Sequence, residues 1–243
     1  MVKNYQTVAL ISDQYSTLLK GFFVMKISSK LIVLVAIPLI AFLAISFVYT
    51  KISIDESRVI DDMALNTKLF VAVSDLVHEL QKERGRTSMY LSGGSQDDMA
   101  NQRKSSTSQI SPVINELKTA KVSESIKNST SQAISEIDKI RNRADSKGST
   151  KEIFDAYGQI IATLMATETA IANSKTTRGF GKALTTIIIL ETAKENAGKL
   201  RATLSGILTL DKPINEDMLT RLITFKSNID ANLDSKAMVL SSQ

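Results

Sequence analysis

VSDLVHELQKERGRTSMYL, residues 73–91, decides what kind of fold the chain adopts. Val73, Val77, Leu80, Arg84, Thr87 and Leu91 recur at spacings of 4, 3, 4, 3 and 4. That period places all six on one stripe of an α-helix and is incompatible with a strand, whose faces alternate every second residue. The stripe is an interior one, yet it contains an arginine. A guanidinium cannot release its proton at physiological pH, and burying it unpaired costs several kcal/mol. Arg84 therefore needs an anion, a hydrated cavity, or room for its stem to carry the charge out to water.

Upstream of this stripe, residues 31–50 read LIVLVAIPLIAFLAISFVYT, twenty positions without a charge. That length matches the hydrocarbon thickness of a bilayer for a helix, and a membrane helix tolerates Pro38 in mid-span. Lys20, Lys26 and Lys30 precede the run, while Lys51, Asp55, Glu56 and Arg58 follow it. A basic-only flank stays in the cytoplasm, so residues 1–30 are expected inside, 31–50 across the membrane, and 51–243 outside. The run is too long for a signal-peptide core, and no small-residue cleavage site follows it. Met25, directly before KISSK, is an alternative start to Met1.

Downstream, helical signals continue to the end. The first helix is expected to run from the membrane to Leu91, stopped by Ser92-Gly93-Gly94. Ser95 and Asp98 form a capping pair for a second helix to about residue 120. Pro112 is expected to kink or break that helix after RKSSTSQIS, residues 103–111. A third helix covers about 123–144. After the turn DSKGST, Ser149-Thr150-Lys151-Glu152 reads as a capping box for a fourth helix over about 150–174. TTRGFGK, 176–182, loosens the chain before a fifth over about 181–209. Asp211-Lys212-Pro213 opens a sixth. No segment alternates with period two, so the expected fold is all-α: an antiparallel helical bundle following one N-terminal transmembrane helix.

Composition narrows the chemistry. The chain has 243 residues, 30 Lys and Arg against 25 Asp and Glu, no Cys and one His. Zero Cys excludes disulfides and thiolate metal sites, and His78 alone builds neither a metal site nor a triad. The positive excess is dispersed without aromatic interleaving, which speaks against nucleic acid. No nucleophile–base pair or phosphate loop is present. The expectation is a non-enzyme without cofactor or metal.

The fifth helix repeats the anomaly of the first. Leu190, Lys194, Ala197, Arg201, Leu204 and Leu208 show the same 4, 3, 4, 3, 4 spacing, with Arg201 in the stripe. Two readings follow. In one, Arg84 and Arg201 belong to a structural Arg–Glu network, with Glu83 and Glu195 as nearby acids. In the other, both converge on a small flat oxyanion, whose edges suit planar, many-donor forks. Gly85 and Gly198 remove bulk near the arginines, at about 1 kcal/mol each in a helix interior. Thr87, Ser88, Thr203 and Ser205 add neutral donors.

LVHELQKERGRTSMYL, 76–91, resembles the opening signature of the nitrate- and nitrite-sensing domain called NIT. KENAGKLRATLSGIL, 194–208, is similar to that family's second signature, an E-x-x-G-x-x-R-A element. The resemblance covers roughly residues 60–243. It implies an all-helical extracytoplasmic sensor, as found in bacterial chemoreceptors and sensor kinases, with signature arginines on nitrate or nitrite. By motif matching Arg84 and Arg201 carry over, with Arg86 on a different face of the first motif. Leu200 stands where the family commonly has Glu. A typical member would continue past MVLSSQ, 238–243, into a second span and a transmitter, so the domain is expected to be incomplete at its C-terminus.

The expected function is thus a single-pass inner-membrane sensor, with its main domain periplasmic or extracellular and a homodimer as its working form. It binds nitrate or nitrite through Arg84, Arg201, Thr87 and Ser88, with Arg86, Gly85, Gly198 and Ser205 in lesser roles. Anion binding cancels repulsion between the arginines and shifts the helix that enters the membrane. The competing expectation is a membrane-anchored interaction or dimerisation module with structural arginines.

Overall fold

A computed structural model describes residues 26–176, 179–210 and 214–238, with the side chains of 206, 209 and 210 excepted. Among these residues there are six helices and no strand: α1 (Ile27–Leu91), α2 (Gln96–Thr119), α3 (Glu124–Asp145), α4 (Thr150–Ala172), α5 (Phe180–Leu210) and α6 (Glu216–Leu233). The all-α expectation holds. The chain divides into two compact units, up to Ser57 and from Arg58 onward.

The first unit carries the part of α1 that is long and apolar enough to cross a membrane. Its large side chains point outward: Leu34, Ile40, Phe42 and Phe47 are all exposed. Apolar side chains without a protein partner are what a lipid-facing helix requires. The helix runs through Pro38 unbroken.

The second unit is built on a buried stripe of α1. Leu69, Val73, Leu76, Val77 and Leu80 are fully enclosed, each stabilising the fold by roughly 1.5–3 kcal/mol. Val113 of α2, Ile137 and Ile140 of α3, Tyr157, Ile161 and Leu164 of α4, and Leu184 of α5 complete the core. Helix α3 packs along α4, and α5 packs along α4 and α6. Helix α6 buries none of its residues completely.

Helix ends follow the local chemistry. Gly93 takes φ 96° just after α1, where only glycine is unstrained, and the Gly94 N–H donates back to the Met89 carbonyl. Ser95, Ser123 and Ser149 each accept from a backbone N–H in the first turn of α2, α3 and α4. Pro112 does not break α2, which continues to Thr119. It sits on the exposed side, where water can take the carbonyl that proline leaves unpaired, while Val113 and Leu117 anchor the helix from within. The expected cap Asp211-Lys212-Pro213 lies outside the described residues, as do residues 1–25, including Lys20 and the alternative start Met25. Asn215 caps α6 instead, accepting from the Met218 N–H.

Candidate functional site

The stripe of α1 folds inward as its spacing demands. Arg84 is 3% exposed. Its Nη1 and Nη2 donate to the two carboxylate oxygens of Glu195 on α5, at 2.6 and 2.9 Å. The guanidinium carbon lies 4.7 Å from the ring centroid of Phe154 on α4, a cation–π stack that fixes its plane. Glycines flank the two fork nitrogens. A Cβ on Gly158 of α4 would lie 3.9 Å from Nη1, and one on Gly198 of α5 would lie 3.7 Å from Nη2. Gly85, by contrast, has nothing near its Cβ position and shapes no wall of this site.

Glu195 has a second cation. Lys199, one turn further along α5, places Nζ 3.2 Å from Glu195 Oε1. Lys199, Phe154 and Gly158 in turn line a cleft of about 410 Å³ between α4, α5 and α6. Gln159, Thr220, Arg221, Thr224 and Phe225 complete most of its wall. Arg221 pairs with Asp155 at 3.6 Å, and Asp155 also takes Lys151 at 3.0 Å. Of the charged side chains on the wall itself, Lys199 and Arg221 are cationic and Asp155 is anionic, a small excess of positive charge. Half-buried cations beside a low-dielectric wall favour an entering anion.

The other expected residues are distributed differently. Arg201 is exposed, together with the rest of its expected stripe: Leu190, Lys194, Ala197, Leu204 and Leu208 all face outward. The buried residues of α5 include Leu184, Ala193, Glu195 and Asn196. The cause is in the sequence. Ile187, Ile188, Ile189 and Leu190 are apolar in every direction, so spacing alone does not tell the inner face from the outer. Arg84 and Arg201 therefore do not meet across one buried hollow here. Arg86 is also exposed and reaches Asp98 at 3.4 Å. Thr87 is fully buried. Ser88 spends its hydroxyl on the Arg84 carbonyl at 2.9 Å. Thr203 does the same with the Lys199 carbonyl at 2.9 Å, and Ser205 is exposed.

Two further buried polar clusters go beyond the sequence reading, which named Glu83 as a nearby acid but none of its partners. Glu83, fully enclosed, accepts from Arg141 Nε and Nη2 at 2.8 Å each and from the Tyr157 hydroxyl at 2.7 Å. Arg103 stands 3.9 Å away. Burial alone drives the Glu83 carboxyl up, but Arg141 and then Tyr157 outweigh it and hold it below the usual carboxylate range. The second cluster lies between α1, α4 and α5. Ser74 donates to Glu191, which faces Glu168, fully buried. Burial, then Glu191, push Glu168 up to about 9. Both Glu168 carboxyl oxygens are buried without a hydrogen-bond partner, so no donor offsets that upward push. Among the described residues no group of three or more His, Cys, Asp or Glu is arranged to hold a metal.

Residues 75–243 match the NIT family, described as nitrate and nitrite sensing. No curated protein matches the chain. A solved structure, "Structure of the NasR transcription antiterminator", superposes with a TM-score of 0.72 at 18% identity. The match covers 81% of this chain and 56% of that one, so this chain spans little more than half the length of that relative. At such identity the likeness is one of fold.

Proposed function

The chain belongs to the NIT family of nitrate- and nitrite-sensing domains, and on that premise we propose that it is a membrane-anchored receptor whose bundle takes nitrate or nitrite at Arg84. One observation carries the assignment: a buried guanidinium with two parallel donors, flanked by glycines and backed onto a cationic cleft. A planar oxyanion presents the same paired acceptors as the carboxylate now seated there. Thr87 and Ser88 lie one turn further along α1, and of the two only Ser88 has its hydroxyl committed to the Arg84 carbonyl. Arg201 and Arg86 act from the exposed faces, drawing anions toward the bundle rather than gripping them.

Binding is useful only if it favours one arrangement of helices over another. Arg84 lies on α1, and α1 is the helix that holds the apolar span. A displacement of α1 at Arg84 is therefore the signal to be relayed, with the N-terminal segment in the cytoplasm and the bundle on the far side. The working form is a homodimer. Ile187, Leu190, Leu204 and Leu208 lie exposed along α5, at spacings a second copy can pack against.

The test is thermal. In the full chain in detergent, saturating nitrate raises the melting temperature, by an equivalent of about 2.7 kcal/mol at one hundred times Kd. Chloride at matched ionic strength does not. Arg84→Ala removes the response. The interaction-module reading is favoured by the closed Arg84–Glu195 pair. It predicts a melting temperature blind to nitrate, so the same titration decides between the two. For topology, the chain has no native Cys, and a Ser135→Cys variant should react with a membrane-impermeant maleimide added outside. Protection from outside reagent would reverse the orientation.

A further inference from the structure

We propose that Glu195 is a built-in competitor for the ligand: its carboxylate fills the fork of Arg84 until an entering oxyanion displaces it onto Lys199. The inference rests on the receptor assignment above and adds to it the regulation of the site.

Three features carry it. First, both Nη atoms of Arg84 are already spent on Glu195, and the guanidinium is enclosed. No oxyanion can take that edge while Glu195 holds it, so binding has to be an exchange. Second, the displaced carboxylate is not stranded. A buried carboxylate without a partner is strongly unfavourable, but Lys199 already stands 3.2 Å from Glu195 Oε1. Glu195 sits between two cations, and the ligand needs only one of them. Third, the exchange has an approach. Lys199, Gly158 and Phe154 belong both to the surroundings of the ion pair and to the cleft. The Phe154 ring keeps the guanidinium plane in place while its partner changes.

An internal competitor lowers the apparent affinity by the fraction of molecules whose fork is free. It also supplies the change that sensing needs. The empty state is tied from α1 to α5 through Arg84–Glu195, and the occupied state is tied through the ligand, with Glu195 drawn toward Lys199 on its own helix.

The experiment is isothermal calorimetry of sodium nitrate with the full chain in detergent, alongside sodium chloride at equal ionic strength. Glu195→Gln removes the competing charge and keeps a side chain of the same shape, so nitrate should bind at least tenfold more tightly. Lys199→Met should weaken nitrate binding in the native background. In the Glu195→Gln background it should matter much less, because no carboxylate then needs rehousing; a cation serving only as a general attractor would weaken both equally. Glu195→Asp, which shortens the reach to Arg84, should also tighten binding and carries the test if Glu195→Gln fails to give helical protein. Native protein that binds nitrate while Glu195→Gln binds it equally or less tightly overturns the competitor and leaves the receptor standing. No nitrate heat from either protein overturns both. Nitrate binding by Glu195→Gln alone supports the competitor, as a site kept shut.

Discussion

Glu83 and Arg84 are neighbours on α1, both buried and both in two-pronged ion pairs, yet they are built to different ends. The helix turns about 100° between them, so Glu83 faces Arg141, Arg103 and Tyr157, while Arg84 faces Glu195, Phe154 and two glycines. The Glu83 carboxylate is saturated: bonds from three donor atoms converge on it. The Arg84 fork has one acid, that acid has an alternative cation, and the cleft lies alongside. A saturated buried charge is a fixture, because any rearrangement strands a partner. A charge with one replaceable partner is a place where something can be exchanged.

The largest expected effect tests the fixture. Glu83→Ala leaves Arg141 and Tyr157 facing each other in the core, at about 3–5 kcal/mol by the usual cost of breaking a buried pair. For a chain of this size that lowers the melting temperature by on the order of 10 °C. Nitrate should raise the melting temperature of the variant by as much as it raises that of the native chain, since the Arg84 side is intact. Loss of the nitrate response in Glu83→Ala would mean the two sites are one.

The carboxyl of Glu168 sharpens the comparison, because it is buried and, among the described residues, no guanidinium bonds to it. Burial raises its pKa, Glu191 raises it further, and Lys194 is the cation that acts against the rise. Its pKa rises from 4.5 to about 9, opposite in direction to Glu83. Between those values the unfolded chain has lost a proton that the folded chain keeps. The contribution of Glu168 is thus complete below pH 4.5 and disappears as pH rises through about 9, at up to about 1.4 kcal/mol per pH unit. Glu83 contributes in the other sense, losing its part as acid protonates it. Chemical denaturation between pH 5 and 9 should show stability falling with pH. Glu168→Gln should flatten that fall and exceed the native chain in stability near pH 9. A native profile that is already flat would mean that Glu168 titrates alike in the folded and unfolded chain.

Arg84→Met should cost less than Glu83→Ala, about 2 kcal/mol for the charged hydrogen bonds lost, because Glu195 keeps Lys199. Its diagnostic is the vanished nitrate response. Equal losses from the two variants, measured by urea denaturation, would erase the distinction between fixture and exchangeable pair.

Much of this was legible before any coordinates. The stop at Ser92-Gly93-Gly94, the caps at Ser95 and Ser149, and the inward turn of Arg84 follow from glycine, capping and period, which are local. Glu195 was already in view as a nearby acid. The face of α5 was not legible, because its apolar run at 187–190 encircles the helix and the inner face is marked instead by Glu191 and Glu195. The same argument that singled out Arg84 applies elsewhere. Arg141 follows Ile137 by four residues, and Glu168 continues the stripe Ile153, Tyr157, Ile161, Leu164. A charge on an apolar stripe was the signal in all three. The cleft was beyond reach, since it joins residues from α4, α5 and α6 whose approach depends on tertiary packing.

The smallest perturbation of stability is aimed at the approach itself. Gly158 lies mid-helix in α4, beside Nη1 of Arg84 and on the wall of the cleft. A Cβ there would make an ordinary contact at 3.9 Å, so no clash forces the backbone. Valine also has somewhat better helix propensity than glycine, so Gly158→Val should change stability by less than about 1 kcal/mol in either direction. Its two methyl groups would nonetheless occupy the space beside the guanidinium, while the Arg84–Glu195 pair stays closed. Nitrate affinity should then fall by tenfold or more at nearly unchanged melting temperature. The equivalent change at Glu83 has no such separation, because there the ion pair and the stability are the same contacts. Nitrate binding undiminished in Gly158→Val would mean that the anion reaches Arg84 by some other side, and the cleft would lose its role.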